Sequence, residues 1–273
     1  MAEPNERWWD QPELWIEIFV LLNVGFLTFD IYLAHSVNSF RNRAEFIPLI
    51  FSSTAPLILL CGLLLRNRAR AIWRSLGFVI GWSAILVGLT GVILHLESHF
   101  FYERTLRSLT YSAPFAAPLA YAGLGFLLIM NRMVDPESIE WARWVLLFTL
   151  GGFLGNFIFS LADHAANGFF FRVEWVPVAA SALAVGFLFI PVVTTVTRGF
   201  IDLVATILVF EAAVGLWGFA LHTAANLRGP STHIFDNFIY GAPSMAPLLF
   251  PNLMVLGVIG LWQLRGSEHL PDQ

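Results

Sequence analysis

The chain has no lysine and a single cysteine, and only 12% of its 273 residues are charged. Each shortage excludes something. All fifteen basic residues are arginine, so a Schiff base on retinal or pyridoxal phosphate, which needs a lysine amine, is ruled out. Cys61 alone permits no disulfide, no thiolate cluster and no CxxC redox pair, and without a CxxCH motif there is no covalent c-type haem. The net charge of −4 leaves no basic footprint for nucleic acid. A soluble domain is about 25% charged, and this chain falls far below that.

Apolar residues are abundant instead. They make up 57% of the chain, and the mean hydropathy is +0.70. An all-α integral membrane protein is expected, with the lipid bilayer as its first partner. The opening residues "MAEPNERWWDQPE" are acidic and aromatic and lack the basic start of a signal peptide. The first apolar run is expected to stay as a spanning helix.

A bilayer core of about 30 Å takes roughly 20 apolar residues as a helix. Eight runs fit: 13–35, 46–66, 74–96, 110–131, 144–163, 175–197, 200–222 and 238–263. No alternating β-barrel pattern competes with them. An even number of spans puts both termini on one side. Nine arginines fall on that side, with "RNRAR" at 66–70 and Arg74 as the clearest cluster, and six on the other. The positive-inside rule therefore predicts cytoplasmic termini, in an inner or plasma membrane. Trp8, Trp9 and Trp15 fit an interfacial aromatic belt.

The chain also repeats itself. "HSVNSFRNRAEFIP" (35–48) returns as "HAANGFFFRVEWVP" (164–177), with His, Asn, Phe, Arg, Glu and Pro in the same places 129 residues later. "YSAPFAAPL" (111–119) returns as "YGAPSMAPL" (240–248), and "VGLTGVILH" (87–95) as "VGLWGFALH" (214–222). Two parallel copies of a four-helix unit are expected, spans 1–4 and 5–8, related by a pseudo-twofold axis along the membrane normal. Residues 1–131 form the first copy, 132–143 a cytoplasmic linker, 144–263 the second copy and 264–273 a cytoplasmic tail.

This topology gathers His35, His95, His99, His164 and His222 at the outer end. His233 falls in the last outer loop, and only His269 lies in the tail. His95 and His99 are four apart and are expected to share a helical face as a two-point metal clamp. Those five histidines are the candidate ligands for a metal ion (Fe, Cu or Zn) or for haem b held by two imidazoles. The plainer reading is histidines that hydrogen-bond to loops in a wet interface. Glu97 and His99 lack counterparts, since Ala224 and Asn226 stand there in the second copy.

His35, Asn38 and Arg43, with their copies His164, Asn167 and Arg172, are candidates for a quinone or an anionic group. Arg43 with Glu45, and Arg172 with Glu174, equally read as ion pairs that brace the turn, and both asparagines as turn formers. Eight helices in two halves resemble, in architecture alone, the quinol-reactive membrane anchors of respiratory oxidoreductases.

Glu17 and Glu211 lie within spans and have no basic partner evident in the sequence. A mid-membrane carboxylate is a functional candidate by default. The leading expectation is a redox membrane subunit with a metal, haem or quinone at its outer end, with other subunits of a membrane complex as candidate partners and no catalytic residue assigned. The alternatives are a small-solute or ion transporter using Glu211, and a structural subunit of a larger complex.

Overall fold

The computed structural model describes residues 8–266. Among them the regular structure is helical, without strands. Arg7 and His269 lie outside the described residues.

Eleven α-helices follow one another among the described residues: α1 Pro12–Ser36, α2 Phe46–Leu65, α3 Arg70–Glu97, α4 Phe100–Glu103, α5 Leu106–Thr110, α6 Leu119–Met133, α7 Ile139–Ala166, α8 Trp175–Val193, α9 Arg198–Leu227, α10 Ile234–Tyr240 and α11 Leu249–Gly266. Their boundaries follow local chemistry. Pro12 opens α1, where a missing N–H costs nothing. The Ser138 and Thr197 hydroxyls accept the backbone N–H of Trp141 and Phe200 and so cap α7 and α9. A 3₁₀ turn, Arg43–Glu45, leads into α2 through an Asn42–Glu45 capping box, and Arg172–Glu174 leads into α8.

Among the described residues, seven helices are long and apolar enough to cross a membrane. Their outward faces carry large apolar side chains such as Phe29, Leu64, Val79 and Leu86. Burial inside the protein does not explain these residues, and a lipid environment does. The chain is thus compatible with an integral membrane protein.

The expected fourth span, 110–131, is the exception. Helix α6 begins only at Leu119 and has 15 residues, about 22 Å at 1.5 Å per residue. Pro114 and Pro118 lack the N–H that a helix through 111–118 needs, so that stretch winds as turns. The last expected span, 238–263, is divided for the same reason. Pro243 lies between α10 and a 3₁₀ turn, Ala246–Leu248, which contains Pro247 and leads into α11.

Helix α1 packs on α2 and α6, and α3 packs on the same two, closing a ring of four. Helices α7, α8, α9 and α11 close a second ring in the same order. The rings meet along α6–α7 and α1–α11, where Asn23 and Asn252 hydrogen-bond to each other. Small residues set the closest approaches. A Cβ on Gly88 would sit 2.8 Å from the Pro118 carbonyl oxygen, and Gly215 meets the Pro247 carbonyl in the same way.

Candidate functional site

The turn after α1 and the turn after α7 have the same backbone. Ser39 and Phe40 adopt positive φ (58° and 51°), as do Gly168 and Phe169 (70° and 49°). The Phe40 amide closes back on the His35 carbonyl at 3.1 Å, and that of Phe169 on His164 at 2.9 Å. Phe40 then stacks on Phe46, and Phe169 on Trp175. Each turn thus folds the start of the next helix back over the preceding histidine.

That fold sets a carboxylate beside each histidine. His35 Nδ1 is 3.5 Å from Glu45 Oε2, and His164 Nδ1 is 3.9 Å from Glu174 Oε2. In the first turn the other Glu45 oxygen accepts from Asn38 Nδ2 (3.0 Å) and from the Asn42 amide (3.3 Å). The second turn has Phe171 at the position of Asn42 and is braced less.

A second histidine comes from the end of α3 or α9. His95 Nδ1 bonds the Pro114 carbonyl at 2.9 Å, and His222 Nδ1 bonds the Pro243 carbonyl at 3.0 Å. A carbonyl only accepts, so Nδ1 carries the proton and Nε2 keeps its lone pair. The His35 and His95 rings meet edge-on at 63°, with centroids 6.2 Å apart. His164 and His222 are close enough to interact electrostatically. The structure thus brings four of the five expected ligands together as two pairs, one at the same end of each ring.

His99 is not part of either pair. Helix α3 ends at Glu97, and His99 precedes the separate helix α4. The expected His95–His99 clamp on one helical face is therefore not formed. His99 is 47% exposed and sits 3.9 Å from Glu103. Its counterpart Asn226 is structural: its amide binds both the N–H and the C=O of Ala242, and the Ser244 hydroxyl. Ser98 takes over one of these bonds in the first ring by accepting the Ala113 amide.

Asn38 and Asn167 are engaged in their turns, with Glu45 and the Asp163 carbonyl respectively. The turn-forming reading of both matches this geometry. Arg43 and Arg172 are exposed on their 3₁₀ turns, and Arg43 lines an open depression with Asn38, Arg41, Asn42 and Glu45. The expected Arg43–Glu45 brace is replaced by the Glu45–His35 contact. Among the described residues no group of three or more His, Cys, Asp or Glu side chains is placed to hold a metal ion.

At the opposite end lies a polar cluster that sequence reasoning missed. Glu17, expected to have no basic partner, forms a buried ion pair with Arg132 (Nη2 to Oε2, 2.8 Å). Asn131 Nδ2 donates to Glu17 Oε1 (2.9 Å), and Trp141 Nε1 donates to Asn131 Oδ1 (3.1 Å). The guanidinium lies over the Trp73 ring at 3.6 Å. The available signal was Asn131–Arg132 at the end of an apolar run. Glu211, in contrast, is completely buried within α9 with both oxygens unpartnered.

No protein-family model matches this chain, and no curated protein or solved structure matches it.

Proposed function

We propose that the chain is a redox subunit of an inner or plasma membrane, with one haem b held between the histidines of each pair. It crosses the bilayer eight times as two parallel four-helix copies related by an axis along the membrane normal. In this reading α6 is the fourth crossing. Its antiparallel course along α3, from Gly88 beside Pro118 to Gly77 beside Arg132, supports it. Both termini are cytoplasmic and the histidine pairs face outward.

One observation carries the cofactor reading. In both pairs Nδ1 is turned toward a carboxylate or a backbone carbonyl, which leaves Nε2 open. Ligating imidazoles are held this way, because the outer partner sets the tautomer and raises basicity. Counting ligands then selects among cofactors. A zinc site takes three or four protein ligands, more than the two imidazoles of each pair. Haem supplies four nitrogens itself and needs two axial groups. In the first ring His35 and His95, with ring centroids 6.2 Å apart, would hold such a group. Electron transfer through such a subunit requires a donor and an acceptor, so partner subunits belong to the proposal.

A quinone is the second reading. A neutral Nε2 accepts a quinol O–H, and Glu45 behind His35 stabilises the resulting imidazolium. Absorption spectra of the purified full chain separate the two. Haem gives a Soret band that shifts on reduction, with stoichiometric iron. Iron-free protein without that band sinks the haem reading, and quinone in a solvent extract then supports the second.

A further inference from the structure

The loop between α2 and α3 lies at the end of the first ring opposite the histidines. Residues 66–74 hold four arginines in nine positions and no acidic residue. Arg66 is already engaged: its Nη2 donates to Gln11 Oε1 at 2.5 Å, and Glu13 lies 3.9 Å from its Nη1. Arg68, Arg70 and Arg74 are exposed, and among the described residues none of them pairs with a carboxylate. The first turn of α3 holds no acidic residue either. The positive end of the helix dipole therefore adds to these three charges instead of offsetting them.

Exposed apolar side chains bracket the cations. Leu64 and Leu65 close α2, and Ile72 stands between Arg70 and Arg74. Val79 and Trp82 continue the exposed apolar surface along α3. A lipid environment explains that surface, and its edge puts the three arginines at the depth where headgroup phosphates begin. The matching loop of the second ring, 194–197, reads Thr–Thr–Val–Thr. There Thr197 caps α9, and Asp202 pairs with Arg265. The same hairpin thus closes without a cluster of arginines, so helix packing does not call for one in the first ring, and the cluster needs another cause.

We propose that Arg68, Arg70 and Arg74 bind the phosphate of an anionic phospholipid. A guanidinium meets two phosphate oxygens at once in its planar fork. Three such groups on one short loop select a headgroup with net negative charge over a zwitterionic one, whose own cation they repel. The bound lipid supplies the counter-charge that the loop and the start of α3 lack. This site is independent of what the histidine pairs hold.

Native mass spectrometry of the full chain in detergent tests it, with phosphatidylglycerol and phosphatidylcholine titrated separately. The wild type should bind phosphatidylglycerol more tightly than phosphatidylcholine. Arg68→Gln, Arg70→Gln and Arg74→Gln should each weaken phosphatidylglycerol binding about fivefold and leave phosphatidylcholine binding unchanged. Replacing all three by lysine keeps the charge and should keep the preference. The same loss of charge at the other end, by Arg104→Gln, Arg107→Gln and Arg228→Gln together, should have no effect, since these exposed arginines lie outside the loop. Inorganic phosphate at the concentration of the lipid should not displace it. A wild type without the preference overturns the proposal. So does a preference that the three glutamine variants retain or the distant triple variant loses equally, and so does displacement by inorganic phosphate, which would mark a site for the free anion.

Discussion

Glu17 and Arg132 form an ion pair almost closed to solvent, with side chains 3% and 1% exposed. They are joined from α1 and α6 across more than a hundred residues of sequence. Asn131 and Trp141 extend the pair to α7. The matching positions in the second ring are Leu146 and Leu261, both buried in its core. The same packing site thus accepts either an ion pair or two leucines.

That equivalence gives the first prediction. Arg132→Leu alone strands a buried carboxylate and should cost about 3–5 kcal/mol, and Glu17→Leu should cost a similar amount. The double variant Glu17→Leu, Arg132→Leu should recover most of the loss, because it copies the pairing in the second ring. Thermal unfolding of the three purified variants in one detergent measures this, and a double variant no better than the singles refutes it.

Cofactor content should follow the pairs and spare His99. His95→Ala or His222→Ala should remove one of two bound haems and halve the Soret absorbance per chain, and the double variant should abolish it. His99→Ala should bind as wild type, because His99 stands outside α3 and contacts Glu103. Titrated haem content per chain decides between these outcomes.

Close helix approach makes selected glycines irreplaceable. Gly88→Ala places a Cβ 2.7 Å from the Ala122 nitrogen and should destabilise by about 1–3 kcal/mol. Gly215→Ala should behave alike against Phe250 and Pro251. Gly186→Ala meets nothing within 4 Å and should be neutral or stabilising by up to about 1 kcal/mol. Melting temperatures of the three variants provide the comparison.

The matched turns differ at one residue that backbone strain resolves. Ser39 holds φ 58° where the second turn has Gly168 at φ 70°. Left-handed backbone costs a non-glycine residue about 1 kcal/mol. Ser39→Gly should therefore stabilise slightly and Gly168→Ser should destabilise by a similar amount. Denaturation midpoints moving in the same direction for both would contradict this.

Much of the site was legible before any coordinates. Recurrence of His, Asn, Phe, Arg, Glu and Pro at 129 residues located two matching turns, and the structure gives them positive φ at the same two positions and the same closing bond. The ends of α1, α3 and α7 at His35, His95 and His164 were readable as helix termini because hydropathy stops there, whereas α9 runs five residues past His222 to Leu227. Partner choice was not readable. Glu45 could pair with Arg43 two residues away or with His35 ten residues away, and only the turn that folds α2 over α1 selects His35. The His95–His99 clamp failed because spacing of four implies a shared face only while the helix continues, and α3 ends between them.

By itself the sequence determined an all-helical chain with helices apolar enough to cross a bilayer, the matched turns after α1 and α7, and the recurrence of one sequence pattern within it. These depend on hydropathy, proline and local hydrogen bonds, which act over a few residues. The tertiary structure decided which helices close each ring, that Arg132 meets Glu17, and that Glu211 meets no cation among the described residues. Those outcomes depend on how each helix is rotated and how deeply it sits against its neighbours. Packing of side chains from distant parts of the chain sets that rotation, and no short stretch of sequence encodes it.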